Sequence, residues 1–397
     1  MSKESKSRTA PTPGNVGGPY AWYVLVVLVA VYVFNFIDRQ ILSILAEEIK
    51  ADIGISDGEM GFLYGTAFAV FYAVFGLPLA RLADLWTRRT LISLGLFFWS
   101  AMTALSGTAR SFITLGAYRI GVGVGESSAS PAAFSMLGDY FPPKFRASAM
   151  AIYSSGVYIG SGIGLFLGGW VVDGWASMYP DGSAPMNLKG WHVAFFVVGI
   201  PGLIMALWVR TLREPMRGQS EGMIAKEHPA PFREFGKELA SVIPPFTFWS
   251  LIRLGAGARG VVTNLAMGAA IAGLAALLIA LVGQPTQWIS MAIGVFAVAS
   301  WIQGLALRDR PAFTMIYRSP AMVFGMAGFA WIGFITYGLG FWFPPFIIRA
   351  HEVSAGEAGR FLGLAAAIGG WTGVTGGGLI SDWLKMRTPL ARIYMGF

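Results

Sequence analysis

Cysteine is absent from this 397-residue chain, so disulfides and thiolate metal sites are excluded. Histidine occurs three times, at positions 192, 228 and 351, too scattered for a metal cluster. Charge is also scarce: 13% of residues are charged, against about 25% in ordinary soluble domains. HExxH and P-loop motifs are missing, and no Ser, His and Asp stand together on an apolar segment. Glycines 121, 123 and 125 superficially resemble a dinucleotide loop, but no strand precedes them. Together these absences argue against an enzyme and against any bound cofactor.

What the chain does have is apolar length, with 55% hydrophobic residues and a mean hydropathy of +0.60. Runs able to cross ~30 Å of hydrocarbon fall near 21–46, 60–80, 90–109, 112–138, 148–172, 191–210, 262–282, 287–307, 320–346 and 361–381. The expected architecture is an all-α integral membrane protein. Net charge is +8, which in a soluble protein would suggest nucleic acid. Starting from an inside N-terminus, however, 22 of the 29 Lys and Arg fall in cytoplasmic segments and five outside. That bias orients membrane helices, so the basicity is topological and no nucleic-acid partner is expected. Residues 1–19 are polar and read as a disordered cytoplasmic tail.

The same sorting leaves four ionisable residues inside the spans: Asp38 and Arg39 in the first, Arg119 and Glu126 in the fourth. Such groups are costly in a bilayer and point to a functional cavity. Arg119 and Glu126 lie seven residues apart, about two helical turns, and so share a face. The glycines between them allow a neighbouring backbone to approach. Glu126 is the candidate proton carrier, its proton affinity pulled in opposite senses by burial and by Arg119. Asp38 and Arg39 are expected to help hold an outer gate by pairing across to the fourth helix. Arg39 could instead snorkel to the outer headgroups, and the whole group could be a structural ion pair.

Further patterns surround this set. Ala80–Arg89, with Asp84, is echoed by Gly378–Arg387, with Asp382. Two such turns in register suggest a parallel repeat, a plan known among transporters. Glycines 156, 160, 164 and 168 make a groove for tight helix packing. Tyr64, Phe68 and Tyr72 form an aromatic stripe that either packs or cradles an apolar tail. Phe232, Phe235, Leu239, Val242 and Ile243 lie at helical spacing among charges, as in a helix lying on the bilayer surface. The chain divides into the tail, a six-helix lobe (20–212), a linker (213–260), a two-helix hairpin (261–310) and the start of a second lobe (311–397).

Taken together, the chain resembles the major facilitator superfamily, with two lobes facing across a cavity and the second lobe incomplete. The Asp84 and Asp382 segments resemble its signature loop, although Ala80, Leu85 and Thr87 depart from the pattern. The resemblance implies gating roles for Asp84, Arg88, Asp139, Arg146 and Asp382. Asn35-Phe-Ile-Asp38-Arg39, Arg119, Gly125-Glu126 and Asp139-Tyr-Phe-Pro-Pro resemble the spinster group of lipid transporters. That implies a monomer in the plasma membrane, or the inner membrane if bacterial, exporting lysolipids or sphingoid phosphates coupled to protons. Glu126 and Asp38 would couple protons, and Arg119, Arg39, Glu126, Tyr64 and Phe68 would bind substrate. Export of drugs or small organic anions, or passive lipid scrambling, are the alternatives.

Overall fold

The computed structural model describes residues 16–222, 228–385 and 387–388. Every one of the ten apolar runs is helical. Helix α1 (Pro19–Ile44) ends in the short α2 (Ala46–Ile53), stopped by Gly54 in the left-handed region at φ 75°. Ser56 and Glu59 form a reciprocal cap on α3 (Asp57–Gly61), which passes through a π turn at Phe62–Thr66 into α4 (Ala67–Leu85). Helix α5 (Arg88–Ser106) follows, then α6 (Phe112–Glu126) and α7 (Ala129–Tyr140). Long α8 (Pro143–Met178) and α9 (Gly190–Arg210) complete the first six crossings.

The linker holds α10 (Pro231–Val242) and α11 (Phe246–Arg253), followed by the hairpin α12 (Gly257–Val282) and α13 (Pro285–Arg308). A short α14 (Arg310–Tyr317) leads to α15 (Pro320–His351) and α16 (Ala355–Lys385). Among the described residues, seven helical stretches, counting Asp57–Leu85 as one, are long and apolar enough to cross a membrane singly.

The fourth crossing is broken at Ser127–Ser128. Pro131 has no N–H for the Ser127 carbonyl four residues earlier. The two serine hydroxyls bond back instead, to Val124 and Gly125 at 2.8 Å each. The break places Glu126 at the end of a helix rather than within one.

Glycine decides how close the helices come. A side chain at Gly160 would strike the Val33 carbonyl, and one at Gly164 would lie 3.0 Å from that of Ile37. The groove on α8 is therefore filled by α1. A second seam was not anticipated: Gly162 faces the Gly363 carbonyl, and Gly169 and Gly359 sit against the backbones of Ala355 and Leu165. There α8 and α16 touch backbone to backbone.

The linker helix packs on the bundle. Part of the apolar face of α10 lies against protein, while Phe232 stays largely exposed. Val242 is buried with Val74 of α4 and Ala297 of α13, and Phe232 meets the edge of Trp86 with ring centroids 4.9 Å apart. The hairpin is held through Glu238, which accepts from Trp301 Nε1 at 2.6 Å and from both Arg308 amino groups at 2.5 and 2.6 Å. Glu238→Ala should therefore weaken docking by about 1–3 kcal/mol, the cost of leaving such donors unpaired. Disulfide formation between Val74→Cys and Ala297→Cys, free of background thiols, would fall in that variant and report the loss.

Candidate functional site

The four intramembrane charges converge between α1, α4, α5 and α6. Glu126 is 0% exposed, Asp38 and Arg119 1% and Arg39 9%. Arg39 does not snorkel; it turns inward and donates from Nε to Glu126 Oε2 at 2.7 Å. Its guanidinium lies 4.9, 4.7 and 5.0 Å from the ring centres of Phe36, Phe68 and Tyr72, a stacking that suits a planar cation. One more donor, Nη1, reaches Tyr337 of α15 at 3.1 Å.

Arg39 thus reaches across to the fourth crossing, but the partner of Glu126 is not the Arg119 of its own helix. Arg119, two turns from Glu126, bonds not to it but to the backbone carbonyl of Asp38 at 3.3 Å. Tertiary contacts from α1 decided which cation the carboxylate met, and helical phase within α6 could not show that. The Asp38 carboxyl faces Trp99 and Thr103 of α5. Asp38 Oδ1, Glu126 Oε1, Arg119 Nε and Asn35 Oδ1 are buried without a hydrogen-bond partner among the described residues. Unsatisfied polar atoms are costly in a dry site, and several together in one cluster call for an explanation. The glycines of α6 permit the assembly: a side chain at Gly123 would stand 2.6 Å from the Phe68 carbonyl, and one at Gly125 2.9 Å from the Trp99 nitrogen.

Two cavities open beside the cluster. One of about 720 Å³ lies between α1, α8, α15 and α16, lined by Tyr32, Phe36, Arg39, Tyr64, Tyr158 and Tyr337 among others. A smaller one, about 400 Å³, shares Arg39, Tyr64 and Tyr337 and adds Phe68, Tyr72 and Arg119. Among the described residues, Arg39 is the one charged side chain lining the larger cavity. Glu126 lines neither and is reached through Arg39. The Tyr64 ring also stacks on Phe341, 4.1 Å between centres. Tyr337, Trp99 and Thr103 carried no signal in the sequence, since isolated aromatic and hydroxyl residues on apolar helices are commonplace.

The expected gating residues divide. Arg88 is buried and binds Asp139 at 2.5 Å, Glu214 at 2.8 Å, Ser135 and the Pro215 carbonyl. Glu214 also accepts from the backbone N–H groups of Arg88 and Arg89, capping α5. Arg146 pairs with Glu221 and Ser220 nearby. Asp84 stands apart and exposed; it is Arg217 that binds the end of α4, through the carbonyls of Ala83 and Trp86. The Asp382 side chain lies outside the described residues. Glu214 and Arg217 were missed because both sit in a polar loop where charges normally face water.

At the opposite end, which the count of basic residues assigns to the outside, Arg349 of α15 binds Asp57 and Glu47 at 2.6 Å each. Ser354 donates to Asp173 of α8 at 2.5 Å. Asp52 is held by Lys189 and Trp191 at 2.5 and 2.9 Å. Burial pushes that carboxyl up, but the two hydrogen bonds leave it below its ordinary value. The first crossings and α15 are thus tied together at this end.

A helical membrane bundle with a cavity and a buried cation at its wall has the build of a solute carrier. The family model of the Major Facilitator Superfamily matches residues 28–397, and the chain belongs to that superfamily. Relatives include the probable galactarate/D-glucarate transporter GudP of Bacillus subtilis, 30% identical over 53% of this chain and 45% of its own length. Protein spinster of Drosophila melanogaster is 27% identical over 54% of this chain and 33% of its length. The chain thus spans less than half the length of these relatives. A crystal structure of a bacterial homologue of the human lysosomal transporter spinster, inward-facing and unoccupied, is 27% identical with a TM-score of 0.50. It covers 90% of this chain and 92% of that one. GudP is named as a transporter and the crystal structure as a homologue of one, and the chain is a multi-pass membrane protein of the superfamily.

Proposed function

We propose that the chain moves an amphipathic anion or zwitterion, of the lysolipid or sphingoid-phosphate kind, in exchange with or alongside protons. The observation that carries this reading is Arg39, the charged residue of an aromatic cavity wall and also the partner of Glu126. An anionic headgroup entering the cavity competes with Glu126 for that guanidinium. Glu126, deprived of its counter-charge in a dry site, then takes a proton, so cargo and proton are linked through one shared residue. Arg119 offers a second cation from the smaller cavity, and Tyr32, Phe36, Tyr64 and Tyr158 give an acyl or sphingoid tail an apolar surface. Asp38, beside Arg119, is the second candidate proton site. The N-terminus lies in the cytoplasm on this reading, and the tied end faces out.

The named relatives favour a second cargo, a small organic anion such as a sugar acid. Many hydroxyls would then need partners, yet the larger cavity offers few polar groups beyond Gln40, Ser161, Thr336 and its tyrosines. Uptake of labelled lysolipid into proteoliposomes under an imposed pH gradient tests the choice. Inhibition by excess unlabelled lysolipid but not by glucarate is expected; the reverse would replace lipid with sugar acid, and transport without any pH gradient would favour scrambling.

A further inference from the structure

Pro344 and Pro345 lie inside α15, and neither has an N–H. In a helix those two groups would bond the carbonyls four residues earlier, which belong to Gly340 and Phe341. Both carbonyls are met from α1 instead. Gln40 Nε2 donates to Gly340 at 2.7 Å, and Ser43 Oγ donates to Phe341 at 2.7 Å with a longer reach of 3.4 Å to Gly340. Gln40, Ser43 and Phe341 are all buried. Residues 40 and 43 are three apart on α1 and so share one face. Each presents a donor to one of two adjacent orphan acceptors, side chain standing in for the missing backbone group.

We propose that Gln40 and Ser43 form a proline-dependent latch that holds the two lobes together at the tied end, acting as positioning residues for the transport cycle. The inference rests on the transport reading only in treating parting of the lobes as a step of function. The pairs made by Arg349 are more exposed and therefore screened by salt; of the carbonyl bonds, that from Ser43 to Phe341 is buried and that from Gln40 to Gly340 half-buried, and both are directional. While the lobes are together, losing Ser43 strands a buried acceptor and losing Gln40 a half-buried one, which is expensive. Once they part, water reaches the same carbonyls and satisfies them. The latch thus favours the closed end without forbidding the open one.

The cysteine-free chain makes the test direct. Ser161→Cys places a single thiol on the cavity wall. Its labelling by a membrane-impermeant maleimide, relative to labelling after solubilisation, reports access from each side of the membrane. Gln40→Leu with Ser43→Ala is expected to raise labelling from the tied side at least about fivefold, the weight of one lost hydrogen bond, and to lower it from the other side in inverted vesicles. Pro344→Ala with Pro345→Ala restores the missing N–H donors, so it should raise tied-side labelling as well, and adding Gln40→Leu and Ser43→Ala should then change little. Unchanged labelling in the first variant, or additive effects in the proline-free background, would overturn the latch. A purely structural role would lower the yield of folded protein but not shift the ratio between sides. Should labelling respond as described while no lysolipid is moved, the latch stands and the cargo reading fails.

Discussion

Glu126→Gln is expected to give a folded, inserted protein that exchanges substrate at equilibrium but no longer accumulates it when a pH gradient is imposed. Glutamine keeps the shape of the side chain and an oxygen for Arg39 Nε, now 2.7 Å from the carboxylate. What it removes is the ability to alternate between charged and neutral forms. Arg39 would then bind a neutral acceptor in every state, losing roughly half the strength of a charge-assisted bond, and substrate would find the guanidinium free at any pH. The measurement is a pair of proteoliposome assays: counterflow, expected near that of the unaltered protein, and gradient-driven uptake, expected to fall to background. Gradient-driven uptake at full rate would remove Glu126 from proton coupling and leave Asp38 as the candidate. Arg39→Gln should differ, losing counterflow as well, because the substrate contact goes with the side chain.

Arg88→Ala should be the most destabilising single substitution in the first lobe. Arg88 is 0% exposed and joins α5 to Asp139 of α7 and to Glu214 in the segment after α9. Breaking a fully buried ion pair costs about 3–5 kcal/mol; Asp139 and Glu214 are half-buried and keep backbone N–H donors from Gly218, Arg88 and Arg89, so a loss of about 3 kcal/mol is expected. The expectation is a midpoint lower by several degrees in a detergent thermal melt, with reduced recovery of monodisperse protein. Arg88→Lys should rescue little: lysine supplies a point charge, whereas Arg88 engages four partners through a rigid planar fork. Wild-type stability in Arg88→Ala would mean that the network matters only for movement between states.

The fold was largely legible because membrane helices must satisfy their own backbone groups, so long apolar runs leave few alternatives. Scarcity made the site legible too: in a chain with so few charges, the four that could not be placed in loops, Asp38, Arg39, Arg119 and Glu126, do meet. Pairing was not legible. Glu126 chose Arg39 over Arg119 through the packing of α1 on α6, which no spacing within either helix encodes. The break at Ser127–Ser128 had a local signal in Pro131 that the surrounding apolar run obscured. For α10, amphipathicity announced an apolar face but not that Val242 at its end packs on α4 and α13. Tyr337, Gln40 and Ser43 act across some 300 positions of sequence, a relation that only the folded chain reveals.

The glycine seam between α8 and α16 has a mechanical consequence. With no side chains between the two backbones at Gly162 and Gly363, α8 and α16 meet across a contact of almost no thickness. Any tilt of one helix against the other at that point would be magnified along the length of both. Bulk placed there would hold them apart like a shim.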